Sequence, residues 1–198
     1  MTDDRALPAW ARQIIDELHA SDRHAGDVAR GLTVAELNWR ASPATWSVGQ
    51  CLQHLLQANA VYLPPIAAAL DRRLESPVAA ITPGWFGRWF IAAYIEPSSP
   101  KRRRGRAPRK IAPAAEVAAD VLDRFLASNE TARELVRRAS RHDVNRVRFV
   151  NPFVPVIRFT VGTGLEIIWR HQRRHLQQAD AIRAELPSRS DGSRATLP

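Results

Sequence analysis

Cysteine is almost absent from the chain: Cys51 is the single one among 198 residues. An intrachain disulfide is therefore excluded. Nothing depends on an oxidising compartment, and the cytoplasm is the default expectation. Long apolar runs are also missing. The most hydrophobic piece, Trp85 to Ile95, carries Arg88 and falls short of the ~20 apolar residues that span a bilayer. No membrane span is expected. The opening MTDDRALPAW has acidic residues and no apolar stretch, so it does not read as a secretory signal. Strand signals are few and internal repeats are lacking.

What is present is an ordinary globular composition, 45% hydrophobic and 25% charged, in a length suited to one domain with a real core. Residues 1–187 are expected to form that domain. The polar tail SRSDGSRATLP, 188–198, is expected to be disordered. The formal charge is +9, partly concentrated in KRRRGRAPRK, Lys101 to Lys110. Such a balance attracts nucleic acid or anionic lipid. The run nevertheless sits among prolines and has no interleaved aromatics. A solvated basic loop is the plainer reading and a polyanion site the alternative.

Four long segments carry helical periodicity. The first spans about Pro8 to Arg30, with Trp10, Ile14, Leu18, Ser21, Ala25 and Val28 on its inner face. A short turn follows, with capping-box spacing from Thr33 to Glu36. A second capping box, Ser47-Val-Gly-Gln50, starts the second helix, and Trp46 before it is placed to staple onto Cys51. Pro64 and Pro65 should kink or interrupt that helix. Residues from about Glu75 to Ala112 form a long insertion. It holds GWFGRWFIAAYI, a short amphipathic helix, and the basic run. The third helix is expected over Pro113 to Ser140, and Asn145 to Phe159 as an extended loop. The fourth helix is expected to start at a capping box, Thr163-Gly-Leu-Glu166, and to end near Leu186. The fold class is all-α, a four-helix bundle with long connections and a short extra helix in the insertion between the second and third helices.

His171 and His175 are four residues apart and share one helix face, beside the stripe of Ile168, Gln178, Ala179 and Ile182. Arg170, Arg173, Arg174 and Gln177 are assigned to the opposite face. Two imidazoles one turn apart can converge on one metal ion. The zincin pattern HExxH fails, because Gln172 follows the first histidine. The spacing alone leaves open whether the pair binds metal. His54, among the small and apolar neighbours Cys51 and Ala58, reads by itself as a satisfied core residue. His19, His24 and His142 read as surface residues.

WSVGQCLQHLLQANAVYL, preceded by GLTVAELNWRASPATW, resembles the second-helix signature of the DinB-like superfamily. IIWRHQRRHLQQADAI resembles its last-helix signature, and GRWFIAAYIEPSSPKRRRGRAPRKIAP is similar to the linker of one subgroup. The resemblance covers roughly residues 8–186 and implies a DinB-like four-helix bundle. The family's metal ligands, one histidine from the second helix and two from the last, fall here on His54, His171 and His175. The implied cofactor is a divalent ion, with Zn, Ni and Fe all acceptable to imidazole. A low-molecular-weight thiol is a second implied cofactor, because relatives include thiol-dependent transferases as well as metal-dependent hydrolases. The reacting group would be metal-bound water or thiolate, and the partner a small-molecule substrate. A bundle that binds a small molecule or partner without turnover is the alternative.

Around that site, Gln50 and Gln178 are candidates to orient the imidazoles. Cys51 could approach the metal, although a buried structural thiol is its plainer reading. Trp85 and Trp89, with Phe86 and Phe90, could cover the pocket. The competing reading packs them on the bundle or on the partner of a homodimer. No carboxylate is spaced as an obvious general base. Glu166 lies on another face, and Asp120 and Asp123 are the remaining candidates to point inward. Nucleic acid is not the expected partner.

Overall fold

The computed structural model describes residues 4–95 and 107–187. Most of the basic run and the tail 188–198 lie outside them. A 3-10 turn, Asp4–Ala6, leads into α1, Ala9–Ala29. It is followed by α2, Val34–Asn38, and α3, Val48–Asp71. Next come α4, Trp85–Phe90, a π-helical turn, Ile91–Ile95, and a 3-10 turn, Arg109–Ile111. The chain then forms α5, Val121–Ala139, the hairpin β1, Arg148–Val150, and β2, Arg158–Thr160, and finally α6, Val161–Ala184.

The long helices α1, α3, α5 and α6 make the bundle. Helix α3 packs against α5 and α6, and α1 packs against the same two. Helices α1 and α3 therefore sit across a diagonal, as the long connections between successive helices allow. Each helix buries a stripe at the expected spacing, such as Trp10, Ile14, Leu18, Ser21, Ala25 and Val28 of α1. The all-α class holds, with one antiparallel hairpin added: Phe149 faces Phe159 across it.

The core is split into two apolar clusters. One joins Trp10, Ile14, Tyr62, Ile66, Val136 and Leu165 with their neighbours. The other joins Val28, Leu52, Leu55, Val121, Phe125 and Leu176. At the level between them all four helices contribute polar side chains. Asn129 Nδ2 donates to Asp22 Oδ1 at 2.7 Å, Gln172 Nε2 donates to Asn129 Oδ1 at 2.7 Å, and Asn59 Nδ2 donates to the same oxygen at 3.0 Å. Arg133 closes the layer by pairing with Asp22 at 2.5 Å and Glu130 at 2.7 Å. Nearly every member is satisfied by another, which is what permits amides inside a bundle.

Four sequence expectations need correction. Helix α3 runs without interruption through Pro64 and Pro65. Pro64 and Ala60 one turn earlier are exposed, and Pro65 and Val61 are half-buried, so the two carbonyls that lose donors lie on the solvent side. Helix α5 starts at Val121, eight residues after Pro113. The intervening backbone is instead held by side chains: Asn38 both accepts from Val117 N at 2.8 Å and donates to Val117 O at 2.9 Å. Helix α6 is capped by Thr160, whose side chain accepts from Thr163 N, so Thr163 lies inside the helix. The stretch Asn145 to Phe159 holds β1 and the start of β2 rather than loop alone. Pro152 and Pro155 fall in the hairpin loop between the strands, where no ladder donor is required.

Close approaches fix the start of α6. A Cβ on Gly164 would stand 2.7 Å from the Phe149 ring, and one on Gly87 would stand 2.8 Å from Thr163 Oγ1. The absent side chains let the hairpin and α4 sit directly on the helix.

Candidate metal centre

The Ser47 box determines where α3 begins: Ser47 Oγ accepts from Gln50 N at 3.0 Å, and Gln50 Oε1 accepts from Ser47 N at 3.1 Å. From that start, Gln50, Gln53 and Gln57 fall on one stripe of the helix, at i, i+3 and i+7. Each glutamine grips the returning chain. Gln50 donates to Ala114 O at 2.7 Å, Gln53 accepts from Ala114 N at 2.6 Å, and Gln57, with its amide nitrogen facing the chain, donates to Ile111 O at 3.1 Å. The segment 111–115 is thereby held alongside α3, and Ile111 O comes within 2.6 Å of His54 Nδ1.

That carbonyl decides the tautomer of His54. A carbonyl can only accept, so Nδ1 carries the proton and Nε2 is left with its lone pair. His54 Nε2 lies 3.1 Å from His171 Nε2. His175 sits one turn beyond His171 on α6. Its Nδ1 donates to Gln178 Oε1 at 3.1 Å, which again leaves Nε2 as the free donor atom. The three rings form a nearly even triangle, with centroid separations of 4.9, 4.5 and 4.6 Å. One ligating atom from each histidine lies within 4.8 Å of the others.

Two of the rings are almost fully enclosed: His54 is 2% exposed and His175 6%. Burial lowers the pKa of all three. The neighbouring imidazoles and the Arg174 guanidinium depress His171 and His175 further, well below the ordinary histidine value. For His54, the Ile111 carbonyl works against burial, and Arg174 adds to the lowering. All three are neutral near pH 7, the state that metal ligation requires.

The donor set fits a divalent ion. Two imidazole nitrogens at about 2.05 Å from a tetrahedral ion stand about 3.3 Å apart, close to the 3.1 Å between His54 and His171. Nitrogen lone pairs converging in a buried space repel one another unless a cation or proton lies between them. Three histidine ligands also leave a coordination position open.

Trp46 is the aromatic neighbour of the triad. It stacks on His175 with centroids 5.5 Å apart and lies tilted against His54 at 4.8 Å. The residue before the helix cap thus becomes a wall of the site as well as packing on the lower apolar cluster that contains Cys51. Cys51 is fully buried, and burial pushes its thiol up to about 12. Trp85 and Trp89 lie on α4 and are 75% and 50% exposed. Their ring contacts are to Phe86 and Tyr94, while Phe86 and Phe90 pack on Phe159.

Gln178 hydrogen-bonds a histidine, whereas the Gln50 amide nitrogen donates to the backbone of 114 and 115. Arg174 is a second correction. It falls about 60° around the helix from His171, not opposite it, and its guanidinium donates to Tyr94 O while acting on every histidine of the triad. Glu166 pairs with Arg170 at 2.8 Å, and Asp120 and Asp123 are exposed. His19 is exposed and His24 is half-buried, 2.6 Å from Asp180. His142 is buried, contrary to expectation, because the turn after α5 folds it inward together with Val144.

No helix among the described residues is long and apolar enough to cross a membrane. No curated protein matches the chain. A sequence model of the DinB superfamily matches residues 17–179, which includes α3, α5 and every histidine of the triad. With the bundle and the buried His54, His171 and His175 cluster in place, that match decides the family: the chain belongs to the DinB superfamily.

Proposed function

We propose that this protein is a metalloenzyme in which His54, His171 and His175 hold one divalent ion and activate a small molecule beside it. The observation that carries this reading is the pair of occupied Nδ1 atoms. Ile111 O and Gln178 Oε1 hold His54 and His175 in the tautomer whose Nε2 is free, and each histidine of the triad brings one ring nitrogen within 4.8 Å of the others. A bound ion would supply Lewis acidity at its open position, acidifying a coordinated water or thiol. The protein would supply the orientation, through Gln178 and the glutamine stripe, and the exclusion of water, through Trp46.

Arg174 suits an anionic ligand at the open position, and transfer to a low-molecular-weight thiol is the reaction we put first. Among the described residues Arg174 is the charged side chain that shifts all three histidines. A fixed cation there stabilises an anionic sulfur. No carboxylate among the described residues joins the triad to assist hydrolysis, and Glu166 is engaged with Arg170. The test begins with metal analysis of protein purified without a histidine tag, followed by turnover of thiol–electrophile pairs and model esters. Stoichiometric metal with metal-dependent thiol transfer is the expected result. Metal bound without turnover of either class would make the bundle a binding module, and failure to recruit any divalent ion would end the reading.

A further inference from the structure

Among the described residues, two exposed tryptophans, Trp85 and Trp89, lie on α4. Trp85, Arg88, Trp89 and Ala92 are spaced i, i+3, i+4 and i+7, so they share one face of the α4 and π-helical segment, and all four are exposed. The other face is anchored. Phe86 and Phe90 stack on Phe159 with centroids 5.9 and 5.1 Å apart, and Gly87 lies against Thr163. The two tryptophans are therefore presented on a segment fixed to the bundle. Adjacent exposed tryptophans on one rigid face are the kind of apolar patch that marks an interaction site.

The charge of the same connection is one-sided. Between Ser76 and Ala115 the sequence has eight Lys and Arg residues against one acid, Glu96, so this connection accounts for most of the formal +9. Arg109 and Lys110 are exposed, and Lys110 Nζ donates to Pro152 O at 2.9 Å, which brings the basic turn onto the hairpin loop. That loop also exposes Val154 and, at 91%, Val156.

We propose that the Trp85–Arg88–Trp89–Ala92 face docks on an anionic lipid surface. Tryptophan prefers the headgroup level, where its ring is shielded and its N–H stays wet, and Arg88 on the same face is drawn to anionic headgroups. A second copy of the chain is a poorer occupant, since two such faces would oppose like charge. Nucleic-acid bases could stack on the two tryptophans, but the exposed Val154 and Val156 suit an acyl boundary and not a base. The attachment is peripheral, consistent with the lack of a spanning helix among the described residues.

The test is flotation of the full chain with vesicles of phosphatidylcholine alone and of phosphatidylcholine mixed with phosphatidylglycerol. Binding is expected only to the anionic vesicles and should weaken as salt is raised. The double variant W85A/W89A should lose about tenfold or more in partitioning while its far-ultraviolet circular dichroism is unchanged, both side chains being outside the core. No binding to the anionic vesicles at low salt would overturn the proposal. So would undiminished binding of W85A/W89A. A concentration-dependent dimer dissolved by W85A/W89A would assign the face to a second copy, and oligonucleotide binding lost in that variant would assign it to nucleic acid. Either result, found without anionic-vesicle binding, also overturns it.

Discussion

His54 and His171, 117 positions apart in the chain, bring their Nε2 atoms to 3.1 Å across the interface of α3 and α6. With the His54 proton held at Nδ1 by Ile111 O, its lone pair points at its partner. His54→Ala or His171→Ala should therefore lower divalent-metal affinity at least about hundredfold, the upper range seen when only an outer-shell partner is lost. Titration with Co²⁺, read by its visible absorption, checks this. Wild-type affinity in both variants would remove these residues from the site.

Gln178 should act through His175 without touching the ion. Gln178→Leu removes the acceptor for His175 Nδ1 and frees the ring to turn or change tautomer. Metal affinity is expected to fall about 10- to 100-fold, with the same number of histidine ligands in the absorption spectrum. Gln178→Glu keeps an acceptor and should retain tight binding.

Stability without metal should depend on pH in a direction the triad dictates. His54, His171 and His175 have folded pKa values below the ordinary 6.5. As pH falls through 6.5 the unfolded chain takes up protons that the folded chain refuses, so acid favours unfolding. The stabilisation is complete above 6.5 and is lost progressively as pH falls toward the folded values. Urea midpoints of metal-free protein between about pH 7.5 and about pH 5.5 should decline, and His175→Leu should flatten the decline. Saturating metal should move it to lower pH, because binding competes with protons.

The parts of this site differed in how openly the sequence carried them. His171 and His175 declare their shared face by spacing alone. His54 joins them through the family signature, since a single histidine among apolar neighbours has an ordinary core explanation. The Ile111 carbonyl was beyond reach because a backbone oxygen carries no residue code, and its partner lies 57 positions away. A signal did exist beside it. Gln50, Gln53 and Gln57 recur along one face of a helix otherwise rich in apolar residues, a pattern that asks for a polar partner along its length. The position of Trp46 before the cap accounts for it as a packing residue, and nothing in the sequence points it at the triad. Proline does not interrupt α3, because Pro64 and Ala60 fall on its exposed side, a side that the apolar periodicity of the helix already marks.

The polar layer between the two apolar clusters offers the sharpest stability prediction. Asn129 is fully buried. Its oxygen accepts from Asn59 and Gln172, and its nitrogen donates to Asp22. Asn129→Ala deletes four hydrogen bonds to three residues, one of them from Asn129 Nδ2 to Gln172 Oε1 at 3.2 Å, and strands groups on α1, α3 and α6, where water has little access. An unsatisfied buried group costs about 1–3 kcal/mol, and partners can in part regroup, so a loss of about 2–4 kcal/mol is expected. Asn129→Leu should be no better, because restoring volume does not restore the acceptor for Gln172. That comparison separates the two contributions: if Leu recovers the wild-type urea midpoint, packing governs this level of the bundle and the hydrogen bonds contribute little. A deficit shared by both variants would place the cost on the stranded amides. Gln172 adjoins His171 in α6, so the same variants should also loosen metal binding, in proportion to how far the helix shifts once its grip on Asn129 is gone.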